Sequence, residues 1–446
     1  MNFDTRFVNI ILLGFGFMFI FTAFQTTGNI EETVLSSLGD EFKGAGYISL
    51  AVLYAVFATC NWIAPSVISL TGPKIAMLIG GAFYTLFIFS FLFLEKWLLY
   101  VVSVLVGVGA ALIWTGQGNY LILNSDEKTM SRNAGVFWAM VQCSLFFGNL
   151  FVFFKFKETD EMKGIEEDTK NVVFTVLGIV SALGIVFLAV LRPAESSDGK
   201  VVQSEYTGPV DALKSSLKLF ATKQMLLLLV TFFYTGIELS FFSGVYSTSI
   251  GHTKSLGADV KSLVGLSGVF IGVGEVLGGV LFSILGAKTV RWGRDPIVII
   301  GFVIHVLSFF LIFINLPNQS PIDETHDEAF IESNRYLALF CSFLLGFGDS
   351  CYNTQIYTTL GNIWSSNSAP AVAIFKFTQS VAAAACFFYS GHATLQVHLG
   401  ILIALGTLGT VTYCYVEWLY KAQLRKQSPA GSSANNSESD LTGQCN

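Results

Sequence analysis

Charge is scarce in this chain. Lys and Arg number 25 and Asp and Glu 31 in 446 residues, so 13% of the side chains are charged, where soluble domains carry about 25%. Against 53% hydrophobic residues and 42 phenylalanines, that shortage excludes an ordinary soluble domain. A basic stripe is missing, and with it the footprint of a nucleic-acid partner. No nucleophile motif, phosphate-binding glycine loop or metal-ligand spacing occurs, so neither an enzyme nor a cofactor or metal is implied. No segment like the TVGYG of a selectivity filter is present, which argues against a pore. Of the seven cysteines, Cys60, Cys143, Cys341, Cys351, Cys386 and Cys414 lie in or beside apolar runs and Cys445 in the tail. They read as small core residues and not as a disulfide framework.

Long apolar runs fill the chain instead. A helix needs about 20 such residues to cross a bilayer. Twelve segments qualify, near 7–27, 46–69, 75–94, 98–123, 133–154, 171–191, 223–248, 261–285, 296–315, 336–360, 369–390 and 397–420. The run Phe7 to Phe24 exceeds a signal-peptide core of about 7 to 15 residues and reads as a retained first span. The longest polar connection, Arg192 to Thr222, contains "PAESSDGKVVQSEYTGP", a flexible linker. Residues 1–191 are thus expected to form an N-terminal six-helix half and 223–420 a C-terminal one, with a cytosolic linker at 192–222 and a disordered tail at 421–446.

Cations orient the spans. With the N-terminus inside, 15 Lys and Arg fall in cytosolic segments and nine outside, while Lys376 lies within a span. Both termini are therefore expected in the cytosol. The sequon Asn318-Gln319-Ser320 then faces outward as a glycosylation candidate, with Pro321 lowering its chance of use.

The halves echo each other. Gly107, Gly109 and Thr115 return 239 residues later as Gly346, Gly348 and Thr354, and Gln142 in span five is answered by Gln379 in span eleven. Two parallel halves of inverted three-helix repeats make the major facilitator architecture, the fold expected here for an all-α membrane protein. The stretch "GAKTVRWGRD" (286–295) places Gly286, Arg291, Gly293 and Arg294 in the pattern of that superfamily's short cytosolic loop, with Val290 where an acid is expected. Such cations hold a cytosolic face closed against helix C-termini and anionic headgroups, or simply anchor it inside.

Specific stretches resemble the uncoordinated-93-like family of that superfamily: "FTAFQTTGNIEETV" (21–34), "IWTGQGNYL" (113–121), "YTGIELSFFSGVYSTSIG" (234–251) and "GFGDSCYNTQIYTTLG" (346–361). The resemblance covers roughly residues 1 to 420. It implies a transporter fold, but also a family whose members are known as regulators or escorts of other membrane proteins.

Spans one to six read as free of charge, whereas spans seven to twelve hold Glu238, Glu275, Asp349 and Lys376, with Glu417 near the last interface. An intramembrane ionisable residue is by default a functional-site hypothesis. At 1.5 Å per residue, Glu238 stands roughly 22 Å from Lys223 and Asp349 roughly 21 Å from Arg335, both near mid-bilayer. Asp349 shares a helix face with Gly346, Tyr352 and Asn353, and Glu238 with Thr231, Tyr234 and Thr235. Both stripes are expected to line a central cavity, or to be buried structurally between helices. Glu275 shares a glycine face with Gly268, Gly272, Gly278 and Gly279 and reads as a packing lock. Lys376 is expected either to snorkel to the cytosolic surface or to pair with Asp349. His305 reads as a solitary structural histidine. In the first half Trp114 and Gln117 share a face and suggest part of a small-molecule site, or helix-to-helix bonding.

Two functions follow from these residues. One is a secondary transporter of an unknown small molecule, proton-coupled through Asp349 or Glu238. The other is a non-transporting subunit that regulates or escorts a partner membrane protein, a channel or receptor, with acidic outer loops ("EEDTK" 166–170, "DETHDE" 323–328) as partner surface or as solvated faces.

Overall fold

The computed structural model describes residues 5–125, 130–157, 167–193, 214, 217–257, 259–292, 294–364 and 368–427. The helices are α1 (Thr5–Leu38), α2 (Ala45–Cys60), α3 (Ala64–Thr71), α4 (Pro73–Ser90), α5 (Lys96–Leu123), α6 (Met130–Lys157), α7 (Glu167–Ala189), α8 (Lys223–Ser240), α9 (Tyr246–His252), α10 (Val260–Trp292), α11 (Asp295–Asn315), α12 (Arg335–Ile363), α13 (Ser368–Ser390) and α14 (Leu395–Gln427). A π-helical turn, Phe241–Val245, joins α8 to α9 into one rod. Ten segments are long and apolar enough to cross a membrane. α12 and α13, at 29 and 23 residues, are as long but richer in polar side chains. With them, and with α8 and α9 taken as one, the long rods number twelve among the described residues.

Local chemistry explains the breaks. Gly44 (φ +75°) takes the left-handed conformation before α2, Gly72 (φ +78°) a positive-φ extended one before α4, and Pro73 opens α4. The side chains of Thr222 and Asn334 cap α8 and α12. Three boundaries differ from expectation. α1 runs to Leu38 instead of ending near residue 27, so Glu31 and Glu32 enter the bundle. The second span breaks after Cys60 and resumes as the short α3. The expected loop at 286–295 is mostly helix, because α10 continues to Trp292 and takes up Gly286 and Arg291. Gly293, the tail from residue 428 and most of the linker lie outside the described residues.

Packing repeats itself. α1 packs on α6 and α7 as α8 packs on α13 and α14; α4 packs on α5 as α11 packs on α12. α2 meets α5 as α10 meets α12, and α4 meets α7 as α11 meets α14. These main contacts of the first six rods recur six rods later, and the halves join along two matching seams, α6 on α10 and α2 on α13. The echoed glycines show why. A Cβ on Gly107 would lie 2.6 Å from the Leu53 carbonyl oxygen of α2, and one on Gly346 would lie 2.0 Å from the Ile271 carbonyl oxygen of α10. A Cβ on Gly109 would meet Phe83 and Gly80 of α4 at 2.9 and 3.0 Å, and one on Gly348 would strike the His305 ring of α11 at 2.2 Å. In each half, two glycines let one central helix be squeezed between two neighbours.

Candidate functional site

The embedded acids of the second half converge. Thr231, Tyr234, Thr235 and Glu238 form a buried stripe of α8. The Glu238 and Asp349 carboxyls meet within hydrogen-bonding reach, and Asn353 donates to Asp349 Oδ1 at 2.7 Å. Two carboxyls share a hydrogen bond only when one of them carries a proton. Glu238 is 1% exposed and Asp349 7%, so both are enclosed by protein and neither faces lipid.

His305 is not solitary. Its Nε2 lies 3.2 Å from the Leu345 carbonyl oxygen and 3.4 Å from Glu238 Oε1, and its Nδ1 2.5 Å from the Tyr234 hydroxyl. A carbonyl can only accept, so Nε2 donates and Nδ1 of a neutral ring accepts from Tyr234. Glu238 Oε1 is left without a donated hydrogen. Tyr352 stacks on the same imidazole at 5.7 Å. The ring is fully buried and bonded on both nitrogens, as a structural histidine should be, but it stands beside the acids.

Glu275 does sit in a glycine-lined contact. Gly265, Gly268 and Gly272 admit Asn149, Phe153 and Leu145 of α6, and Gly274 and Gly278 admit α12. Its carboxylate accepts from Gln142 across the seam between halves. Lys376 makes no direct pair with Asp349. Its Nζ donates to Gln379 Oε1 at 2.9 Å and lies over the rings of Phe375 (4.7 Å) and Tyr357 (5.6 Å). Gln379 in turn donates to Thr235 at 3.3 Å, which links Lys376 to the Glu238 helix.

In the first half, Gln117 is buried and Trp114 half-buried. Trp114 stacks on Trp138 at 5.7 Å, and Trp138 reaches Tyr357 of the other half at 6.0 Å. The first half is not free of charge: Glu31 and Glu32 are 0% and 4% exposed. Glu32 accepts from the backbone N–H of Gly44 and Gly46 at 2.7 and 2.9 Å. Neither oxygen of Glu31 is bonded. The nearby Ser49 hydroxyl is engaged with Ser103 at 2.9 Å, and Ser103 donates to the Leu99 carbonyl. By hydropathy the first apolar run stops before these acids. "GNIEET" continues the helical register, however, and that was the available signal.

The two ends of the bundle differ. At the end away from the termini, described polar bonds tie the halves together: Ser36 to His252 (3.2 Å), Lys261 to Ser37 (3.0 Å), the Tyr47 hydroxyl to the Pro321 carbonyl (3.0 Å) and Lys43 to Asp323. Glu324 pairs with Lys254 and Lys261. Burial alone would raise its carboxyl, but the two ammonium groups and their hydrogen bonds outweigh that and hold it down to about 2. Asp323 and Glu324 are therefore ion-paired within the chain while both stay exposed. Asn318 lies here too, its side-chain oxygen accepting from the Gln396 N–H at the start of α14. At the terminus-bearing end, Arg294 bonds within its own half, to Glu417 (2.9 Å) and to the Thr358 carbonyl (3.3 Å). Its partner is thus a buried carboxylate, and Lys421 adds Asp295 to the same cluster. The free cysteines Cys341, Cys351 and Cys386 are core residues as expected, but Cys143 is exposed.

Comparison with known proteins gives this geometry its relatives. The chain is 46% identical to the UNC93-like protein MFSD11 of Xenopus tropicalis, over 93% of this chain and 96% of that one. It is 28% identical to UNC93-like protein 3 of Arabidopsis thaliana (88% and 82% covered) and 24% identical to protein unc-93 homolog A of Homo sapiens (96% of each). Among solved structures it superposes on a peptide transporter POT in complex with sulfate (TM-score 0.67, 11% identity, 94% and 95% covered) and on the nucleoside transporter NupG (TM-score 0.63, 14% identity, 93% and 100% covered). The fold is that of these transporters, an all-helical membrane protein. The family model described as ion channel regulatory protein UNC-93 matches residues 40–414, and the chain belongs to that family.

Proposed function

We propose that this chain is a membrane carrier that moves a small solute by rocking its halves about the polar seam, with both termini in the cytosol. One observation carries the reading. Apart from Gln142 to Glu275 in mid-seam, the described polar bonds between halves gather at the end away from the termini, while Trp114, Trp138, Asn353, Tyr357 and Lys376 nearer the terminus-bearing end stay half-buried. A bundle tied at one end and accessible toward the other is one state of an alternating-access carrier. In this reading Asp349, Glu238, Glu275, Lys376, Asn353, Gln117 and Trp114 form the working seam, with Asp349 and Glu238 as the proton-coupling pair. Gly286, Arg291, Gly293 and Arg294 serve the cytosolic gate, and α12 and α13 complete twelve spans in halves of 1–191 and 223–420. Asn318 faces outward as the glycosylation candidate, already half engaged as the cap of α14.

The test replaces Lys43 and Asp323 by cysteine in a background lacking the exposed Cys143. The protein is reconstituted in liposomes and given a mixture of labelled amino acids, peptides, nucleosides and organic anions. A carrier loses uptake when the pair is oxidised and regains it on reduction. Uptake that persists with the halves fully cross-linked refutes the rocking mechanism. The description of the family model supports a second reading, a regulatory or escort subunit of a channel or receptor. On that reading no solute accumulates in either redox state, and a partner's activity survives the cross-link.

A further inference from the structure

Among the described residues, the cations Lys43, Lys170, Lys254, Lys261, Arg294, Arg335 and Lys421 each have an acid within 4.0 Å. Lys376 stands inside a span, where an unpaired ammonium is costly, with no such ion pair. Its recorded neighbours are one amide oxygen and two ring faces. Rings attract a cation but leave its charge uncompensated. What the position lacks is an anion in contact, for Asp349 acts on the ammonium from beyond ion-pair distance.

The surroundings define which anion. Rings from both halves form a continuous series beside Lys376. Trp114 and Trp138 lie parallel (interplanar 15°), Trp138 tilts onto Tyr357, and Tyr357 meets Phe375 edge-on at 5.6 Å. Trp114, Trp138, Tyr357 and Lys376 are all half-buried, so the series has accessible surface. Such faces take up a flat apolar body. Charge sets the valence. One ammonium faces the seam with no guanidinium fork beside it, and Asp349 stands within its electrostatic reach, with Glu238 and Glu275 behind. Acids already grouped behind a single cation repel a dianion or a phosphate monoester more strongly than a single negative charge.

We propose that Lys376 and the Trp114–Trp138–Tyr357–Phe375 rings form the binding site for a flat aromatic monocarboxylate at the junction of the two halves. Lys376 grips the carboxylate, Gln379 orients the ammonium, and the tryptophans of the first half cover the ring. The ligand therefore touches both halves, and its fit changes when they rock. This names the substrate class of the carrier proposed above and rests on that reading for transport, though not for binding.

Binding is measured on the purified full-length protein by quenching of tryptophan fluorescence and by isothermal titration. The probes are naphthoate, its neutral isostere naphthamide, the cation naphthylmethylamine and the non-aromatic cyclohexanecarboxylate. Naphthoate is expected to bind at least about tenfold tighter than naphthamide or cyclohexanecarboxylate, with the amine weakest. Lys376→Gln erases the naphthoate–naphthamide difference, Lys376→Arg keeps it, and Trp138→Leu erases the advantage of the ring while sparing that of the charge. Amine binding equal to or tighter than naphthoate overturns the site, as does no naphthoate binding at all or an unchanged preference in Lys376→Gln. If Lys376→Gln fails to fold, judged by its melting transition, the wild-type series and Trp138→Leu decide the matter. Labelled naphthoate in proteoliposomes separates the two proposals. Binding without uptake refutes the carrier and leaves the site standing, whereas uptake of other solutes without naphthoate binding refutes the site and leaves the carrier.

Discussion

Glu31 and Glu32 are adjacent in sequence and opposite in circumstance. Successive helix positions are about 100° apart, so one carboxylate turns to the start of α2 and the other to the Ser49–Ser103 pair. Glu32 satisfies two backbone N–H groups at the entry of α2, Gly44 and Gly46. Those donors belong to a helix start that has no side-chain cap of its own. Glu32→Gln offers one acceptor oxygen for two donors and directs an NH2 at the other. It is expected to lower stability by about 1–3 kcal/mol. Glu31 has no bond to lose, and a buried carboxylate without partners is a liability. Glu31→Gln is therefore expected to leave the melting temperature unchanged or raise it. Thermal melts of both variants in one detergent check the pair. A larger loss in Glu31→Gln than in Glu32→Gln would reverse the assignment.

At the scale of elements, glycines decide how closely helices approach. Gly346 and Gly348 flank Phe347 two residues before Asp349, on the two sides of α12 that meet α10 and α11. A methyl at 348 would overlap the His305 ring and push α11 away, disturbing the bonds to Tyr234 and Leu345. Gly346→Ala and Gly348→Ala are each expected to destabilise by about 1–3 kcal/mol. Gly28 and Gly118 are the contrast, for nothing lies within 4 Å of a Cβ built on either. Alanine there is expected to stabilise by about 0.5–1 kcal/mol through helix propensity alone. Denaturation midpoints of the four alanine variants test this, and equal effects in both pairs would contradict it.

For the whole molecule, the ties at the end away from the termini set which state is held. Each is weak singly: Lys43 and Asp323 are 41% and 52% exposed, and such pairs contribute about 0–1 kcal/mol. Glu324 is the exception because it serves Lys254 and Lys261 together, and Lys261 also reaches Ser37 of the first half. Its folded value of about 2 lies below the ordinary 4.5, so its contribution is complete above about pH 4.5 and vanishes as pH falls toward 2. Glu324→Gln is thus expected to melt below wild type near pH 7, with the gap narrowing below about pH 4.5 and closing only toward pH 2. Melting curves across that range check the sign, and a gap that widens on acidification would refute it. The ties also explain how far the sequence could be read. Composition, run length and cation bias determine a polytopic helical protein, since lipid admits only apolar helices with satisfied backbones. The echoed glycines gave the repeat, because close helix approach needs small residues wherever it occurs. Glu238, Asp349 and Lys376 were visible as well, because a charge inside an apolar run needs no partner to be noticed. Partners were another matter. That His305 stands against Glu238, that Gln142 reaches Glu275, that Arg294 takes Glu417, and that "DETHDE" fastens the halves all depend on contacts between helices far apart in the chain. Hydropathy reports whether a residue leaves water, not which residue receives it, and only the packing of the rods decides that.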